Sequence, residues 1–299
     1  MLYSHDYRFP YVKTDTTIKI FRNRRVEISK PMDSNLTALY TKEAIRFIDT
    51  QKKGDPFFMY LAYNMPHLPV AFAANGNTEN GALAAVVEEM DQCLARIWEV
   101  LEKKKMADNT ILVFSSDNGP WVNYPTRMSG DGAIQPWDVG AAGIFRGAKG
   151  ESYEGGVRSL FVLYWKKGIP ANQLLRSPIS NLDVLPTITK WTNAKLPENR
   201  ALDGQDISEL LIGKADERKF NHRPIYIVNA NGLEAVKDGA WKYREVVEAG
   251  KSGEPKKLLK ELFNLNFDPS ERYNVIDKYP EKANQMKALF DVFEGNKEN

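Results

Sequence analysis

The 299 residues contain one cysteine and three histidines. Cys93 alone excludes an intrachain disulfide, and with only His5, His67 and His222 as imidazoles no thiolate-based zinc centre can be built. Long apolar runs are missing too: no stretch reaches the roughly eighteen residues of a membrane span. Residues 1–15, MLYSHDYRFPYVKTD, lack the basic segment and apolar core of a signal peptide. Charge of one sign is also absent. Lys and Arg total 41 against 39 Asp and Glu, a net charge of +2, which supplies no broad field for nucleic acid or an anionic membrane. Arg22, Arg24, Arg25 and Lys30 form a small basic patch that reads as solvated surface. With 42% hydrophobic residues, the chain has the composition of a globular protein large enough for one α/β domain and a smaller companion.

Periodicity gives the order of elements. Residues 34–49 place Leu36, Leu39, Tyr40, Ala44, Ile45, Phe47 and Ile48 at helical spacing behind a Ser or Asn cap. The run Phe57-Phe58-Met59-Tyr60-Leu61-Ala62-Tyr63 is apolar without alternation, as expected of a strand covered on both faces. It ends in a loop where two prolines flank His67. A second helix carries Val87, Met90, Leu94, Ile97, Trp98 and Leu101 on one stripe, with Cys93 beside it. Then Ile111 to Phe114 reads as another buried strand, followed by Asp117, Asn118, Gly119 and Pro120. A glycine-rich segment, Gly140 to Ser159, precedes a strand at Leu160 to Trp165, and a helix starts near Asn181 or Asp183. This alternation predicts a mostly parallel sheet flanked by helices over residues 1–195. Beyond it, strands near Pro224 to Val228 and Ala240 to Val246 and a helix from Pro280 to Phe293 predict a small α+β subdomain, residues 196–299.

Polar residues just after buried strands carry the most functional weight in such a sheet, because ligands gather outside the strands' carboxyl ends. Three loops fit: His67 follows one strand, Asp117 and Asn118 the next, and Lys149 lies in the glycine-rich loop after that. A carboxylate and a side-chain carbonyl are hard oxygen donors suited to calcium or magnesium, and one carboxylate alone is too little charge for a tight site. Lysine and histidine can neutralise charge developing on an ester oxygen, and histidine can protonate a leaving oxygen. Each has a plainer reading. Asn118-Gly119-Pro120 is a strong turn signal, a histidine between prolines is a structured-loop residue, and GAKGESYEGG lacks the order of a nucleotide-binding P-loop. Cys93 reads as packed in its helix.

Taken in succession, PFFMYLAYNMPHLP, MADNTILVFSSDNGP, GAKGESYEGGVRS, NLDVLPTI and ELFNLNFDPSERYN resemble the latter two-thirds of a type I, formylglycine-dependent sulfatase of the arylsulfatase kind. The resemblance implies an alkaline-phosphatase-like α/β fold, a calcium ion with magnesium as the alternative, and hydrolysis of aryl or carbohydrate sulfate monoesters. The ligand it implies is a sulfated small molecule or glycan, and the compartment periplasmic, secreted or lysosomal. Position by position, Asp117 and Asn118 resemble two of the family's metal ligands, His67 the histidine that hydrogen-bonds the sulfate or its bridging oxygen, and Lys149 the lysine that contacts the sulfate. Glu154, Gly155, Gly156 and Arg158 resemble the turn that supports the lysine loop. Trp121, Tyr124, Arg127, Trp137 and Arg146 are candidates to line or cover a substrate pocket.

The departures set further expectations. The family's nucleophile arises from a Cys/Ser-x-Pro-x-Arg motif; Cys93 is followed by Leu94, Ala95 and Arg96 and does not fit. An upstream pair of acidic metal ligands is missing as well. The N-terminal part of the fold is therefore expected to be absent, and the chain incompetent by itself unless a missing N-terminal segment or partner chain completes it. An exposed apolar edge or face is expected where the missing strands would lie. The competing readings are a non-catalytic remnant that binds sulfated glycans or a partner, and a phosphate or phosphonate monoester hydrolase.

Overall fold

The computed structural model describes residues 19–72, 79–125, 134–220, 222–229, 232–248 and 256–295. His5 and Arg127 lie outside the described residues. The described residues fall into two units, one within Met1–Thr110 and Val122–Ala141, the other within Ile111–Trp121 and Ala142–Asn299.

The first unit opens with an antiparallel hairpin, β1 (Lys19–Arg22) and β2 (Arg25–Ser29), turned at Asn23, whose positive φ suits a two-residue hairpin loop. Helix α1 (Leu36–Thr50) follows and buries the apolar stripe Leu36, Tyr40, Ala44 and Ile48, with Thr37 and Thr41 beside it. Helix α2 (Ala82–Lys103) packs against it: Ile97 and Leu101 meet Ala44 and Ile48 in one cluster. Each such aliphatic side chain removed from water contributes about 1.5–3 kcal/mol. The buried stripe of α2 is Ala85, Val86, Cys93, Ile97 and Leu101, so Cys93 lies inside the core while Val87 faces solvent. That corrects the predicted stripe: its member Val87 is exposed, and Cys93, expected beside the stripe, lies within it.

The run Phe57 to Tyr63 is extended but pairs with no strand among the described residues. Its burial alternates. Phe57, Met59, Leu61 and Tyr63 pack toward α1 and α2, whereas Phe58 is 78% and Tyr60 84% exposed. The segment predicted to be covered on both faces is covered on one, because a row of apolar side chains records no information about what lies on each side of it.

In the second unit, β3 (Leu112–Ser115) pairs antiparallel with β4 (Phe161–Tyr164). Between them stands α3 (Glu154–Val157), a single turn. The α/β class holds, yet every described strand pair is antiparallel, against the parallel order that the alternation predicts. Parallel neighbours are usually joined by a crossover helix, and the long connection from β3 to β4 carries, among its described residues, only a 3-10 turn at Pro136–Asp138 and the single turn of α3. Helix α4 (Val184–Thr192) grows from a 3-10 turn at Asn181–Asp183, capped reciprocally by Ser180 and Asp183. A one-turn helix, α5 (Ser208–Leu211), precedes the last sheet.

That sheet is an antiparallel meander of β5 (Ile225–Asn229), β6 (Gly232–Asp238), β7 (Trp241–Glu248) and β8 (Lys257–Asn264). Gly239, at positive φ, makes the tight turn between β6 and β7. Helix α6 (Pro280–Gly295) sets Ala283, Met286 and Phe290 against Leu233, Val236, Tyr243 and Leu262 on one face of the sheet. The other face of β7 carries Lys242 and Arg244, both buried.

Candidate functional site

Strand β3 delivers its chain into Ser116-Asp117-Asn118-Gly119-Pro120. Asp117 is exposed and Asn118 half-buried. Neither side chain has a hydrogen-bond or ion-pair partner among the described residues, so three oxygen and nitrogen donor or acceptor groups stand ready for a ligand. The loop shape is set by close backbone approach. The Gly119 N–H donates to Gly156 O at 2.9 Å, and a Cβ on Gly119 would fall 1.9 Å from Gly155 O. Only glycine fits there.

The same approach draws in the lysine loop. The Lys149 N–H donates to Pro120 O at 2.9 Å, and its ammonium lies over the Trp121 ring, 5.2 Å from the centroid. Asp117 and Asn118 line a cavity of about 200 Å³ together with Gly150, Glu151, Ser152, Gly156 and Val157, and with Ile227, Val228 and Asn229 from the end of β5. Lys149 is not itself a lining residue; the three residues that follow it are. The structure thus brings Asp117, Asn118 and the loop of Lys149 to one place.

His67 belongs to the other unit. Its Nδ1 lies 2.8 Å from Leu68 O, a contact that puts the proton of the neutral ring on Nδ1 and leaves Nε2 as the acceptor. His67 is half-buried, with prolines 66 and 69 fixing the loop on either side.

The predicted supporting turn proves to be buried and charged. Glu154 meets Lys237 at 2.9 Å and Lys242 at 3.1 Å, with the Arg158 guanidinium at 3.8 Å. Lys242 also lies 2.9 Å from Glu271 Oε1, off the direction needed for a hydrogen bond, while Glu271 Oε2 accepts the Glu154 N–H at 2.6 Å. Burial alone would raise the Glu154 carboxyl, but Lys242 and Lys237 outweigh it and bring the pKa down to about 2. Glu271 goes the other way, raised by burial against a shared Lys242. Next to this group, Tyr153 is held between the Arg146 and Arg244 guanidiniums, 3.9 and 3.5 Å from its ring, and its hydroxyl donates to Glu261 at 2.9 Å. Burial pushes that phenol up to about 12.

Arg146 was a candidate pocket residue; it instead braces Tyr153 and donates to Glu271 O at 2.9 Å. Trp121 keeps a place beside the site under Lys149. Tyr124 and Trp137 belong to the first unit. Sequence reading missed Glu151, Ser152 and Asn229 in the cavity lining. Asn229 was within reach of the rule applied to Asp117, since it too ends a strand.

A divalent cation suits the free oxygens of Asp117 and Asn118 in kind, as hard donors, but they fill only part of a shell of about six to eight oxygens. Among the described residues no group of three or more His, Cys, Asp or Glu could hold a metal ion. The formylglycine motif finds no fit: Cys93 is buried within α2. No helix among the described residues is long and apolar enough to cross a membrane.

Comparison with known proteins gives this geometry its context. Human steryl-sulfatase is 35% identical over 202 residues, 66% of this chain and 33% of its own length. The N-acetylgalactosamine-6-O-sulfatase of Bacteroides thetaiotaomicron is 29% identical over 282 residues, 87% of this chain and 51% of its own. A solved Bacteroides thetaiotaomicron structure, from work on the metabolism of multiple glycosaminoglycans, superposes with a TM-score of 0.72 at 27% identity, over 89% of this chain and 55% of that one. The chain spans about a third to just over half the length of these relatives. The fold they share with it is alkaline-phosphatase-like α/β. With a family model described as Sulfatase matching residues 3–194, the chain belongs to the sulfatase family.

Proposed function

We propose that this chain supplies part of a site that hydrolyses sulfate monoesters of aryl or carbohydrate alcohols. The observation that carries the reading is the junction of two loops: Asp117 and Asn118, with unengaged side chains, sit in one cavity with the residues that follow Lys149. Asp117 and Asn118 would hold a calcium or magnesium ion, which when bound supplies positive charge to a sulfate oxygen. Lys149 neutralises sulfate charge; its ammonium rests on an aromatic face, and an anion offers it a stronger, charge-assisted partner. His67, in its protonated form, donates to the sulfate or the bridging oxygen, and in leaving-group departure gives up that proton. The resemblance extends the reading to a periplasmic, secreted or lysosomal setting.

No residue here fits the nucleophile, so the 299-residue chain on its own is expected to turn over negligibly. The test is a 4-nitrophenyl sulfate assay of the chain with and without a separately supplied sulfatase N-terminal segment. Turnover that appears on addition, and is lost with Lys149→Ala, supports the enzyme. Binding of sulfated glycan that never leads to turnover points instead to a non-catalytic remnant, and preference for a phosphonate ester points to the related monoester hydrolase chemistry.

A further inference from the structure

Strand β7 turns two cations toward the loop that carries Lys149. Lys242 and Arg244 share a face of the strand because side chains alternate; Tyr243 between them enters the α6 core. Lys242 reaches Glu154 at 3.1 Å. Arg244 Nε donates to Ser152 Oγ at 2.9 Å, its guanidinium stacks on Tyr153, and its remaining fork pairs with Glu261 on the neighbouring strand. Three consecutive residues, Ser152, Tyr153 and Glu154, are each gripped by a β7 side chain.

These residues follow Lys149 after Gly150 and Glu151. On its other side the loop is tied by the Lys149 N–H to Pro120 O, and Glu151 N–H closes a turn onto Ala148 O at 2.9 Å. The lysine loop therefore hangs between two anchors, the strand-end loop of Asp117 and the charged face of the C-terminal sheet.

Stability alone does not account for this choice of residues. Lys237 and Lys242 face each other directly across β6 and β7, an arrangement that is repulsive unless an anion enters, and Glu154 is that anion. Burying charges brings a desolvation penalty that apolar side chains of similar size avoid. The opposite face of the same sheet is built from apolar side chains. What charged groups add is direction: a guanidinium fork donates its hydrogen bonds in its own plane and stacks through its face.

We propose that Lys242 and Arg244 are positioning residues, which hold Ser152 to Glu154 so that the Lys149 loop keeps its place beside Asp117 and Asn118. The part of this that concerns anion binding rests on the sulfate reading above; the part that concerns loop order does not.

Two variants and two readouts test it in the full chain. Ser152→Ala removes only the hydroxyl that Arg244 holds, and Arg244→Lys keeps the charge while losing the fork. The readouts are amide hydrogen exchange over residues 147–151 without ligand, and the affinity for inorganic sulfate measured by titration calorimetry, with Lys149→Ala as control. Both variants are expected to exchange about fivefold faster in that loop, with unchanged protection in β7 and α6, and to weaken sulfate by a similar factor. The double variant should add nothing to Arg244→Lys, because both remove one contact. Loop exchange and sulfate affinity at wild-type values in folded Ser152→Ala overturn the proposal, and that small deletion keeps the test open should Arg244→Lys fold poorly. If wild-type shows no Lys149-dependent sulfate binding, the sulfate reading falls, and loop exchange alone then decides for or against positioning.

Discussion

The Lys149 N–H donates to the carbonyl oxygen of Pro120 at 2.9 Å. One backbone bond thus joins the loop that ends β3 to the glycine-rich loop, and residues far apart in sequence share one site. Asp117 and Asn118, proposed as metal ligands, and Lys149, proposed to meet the sulfate, are carried on either side of that bond. A backbone link fixes relative position whatever the side chains do.

The first consequence concerns Gly119. Its N–H bonds Gly156, and a methyl group there would lie 1.9 Å from Gly155 O, a backbone atom that cannot step aside. Gly119→Ala is expected to destabilise the protein by about 1–3 kcal/mol, the usual range for overpacking a tight site. Urea denaturation measures it. A midpoint equal to wild-type would mean that the two loops are not in this contact.

Calcium should stabilise the chain through Asp117 and Asn118. Their side chains have no partner among the described residues, so binding breaks no existing bond. At a calcium concentration ten times Kd, linkage predicts a gain of about 1.4 kcal/mol, seen as a raised Tm. Asp117→Ala should abolish the gain while leaving the calcium-free Tm near wild-type, since an exposed, unpaired carboxylate contributes little to folding. A calcium response that survives Asp117→Ala would place the ion elsewhere.

How much of this was readable beforehand follows from the kind of information each feature needs. Asp117 and Asn118 announce themselves locally, as polar residues at the end of an apolar run, and Lys149 stands out among glycines. The pairing of strands does not. Phe57 to Tyr63 looks like a core strand because each side chain is apolar, yet which face is covered depends on elements distant in sequence. Lys242 and Arg244 were the least legible, since charged residues on a strand are ordinarily solvent-facing. Only the carboxylates Glu154, Glu261 and Glu271, contributed by other segments, make their burial possible.

Acid should loosen this protein through Glu154. Its carboxyl is held at about 2 against an ordinary value of 4.5. A depressed carboxylate contributes stability that is present above the unfolded value and lost as pH falls toward the folded one, here about 3 kcal/mol disappearing between roughly pH 4.5 and 2. Glu271 has the opposite sign: its raised pKa favours the folded state on the acid side, and that contribution is lost as pH rises through the folded value. Because both carboxylates lean on Lys242, the pair titrates jointly. Urea midpoints across this window should fall in wild-type and fall less in Glu154→Gln, whereas Glu271→Gln should change the profile above pH 4.5, where the raised group loses its contribution. Parallel curves for wild-type and Glu154→Gln between pH 4.5 and 2 would show that the cluster does not control acid stability.

The exposed face of the Phe57 to Tyr63 segment carries the last prediction. Phe58 and Tyr60 point away from the packed side of an extended backbone that pairs with no strand among the described residues, so two large apolar groups lie exposed beside an unpaired edge. That combination templates strand addition from a second chain and favours self-association. Replacing both with threonine puts a β-branched residue that an extended backbone also favours in place of each aromatic ring and removes the apolar surface. Their neighbours Phe57, Met59 and Leu61 hold the helical core and remain in place. The double variant Phe58→Thr, Tyr60→Thr should therefore sediment as a smaller species than wild-type at equal concentration, with a change in Tm within the few tenths of a kcal/mol typical of surface substitutions. Association that persists undiminished would move the sticky surface elsewhere, and a large fall in Tm would mean that this face is covered in solution by something the fold itself supplies.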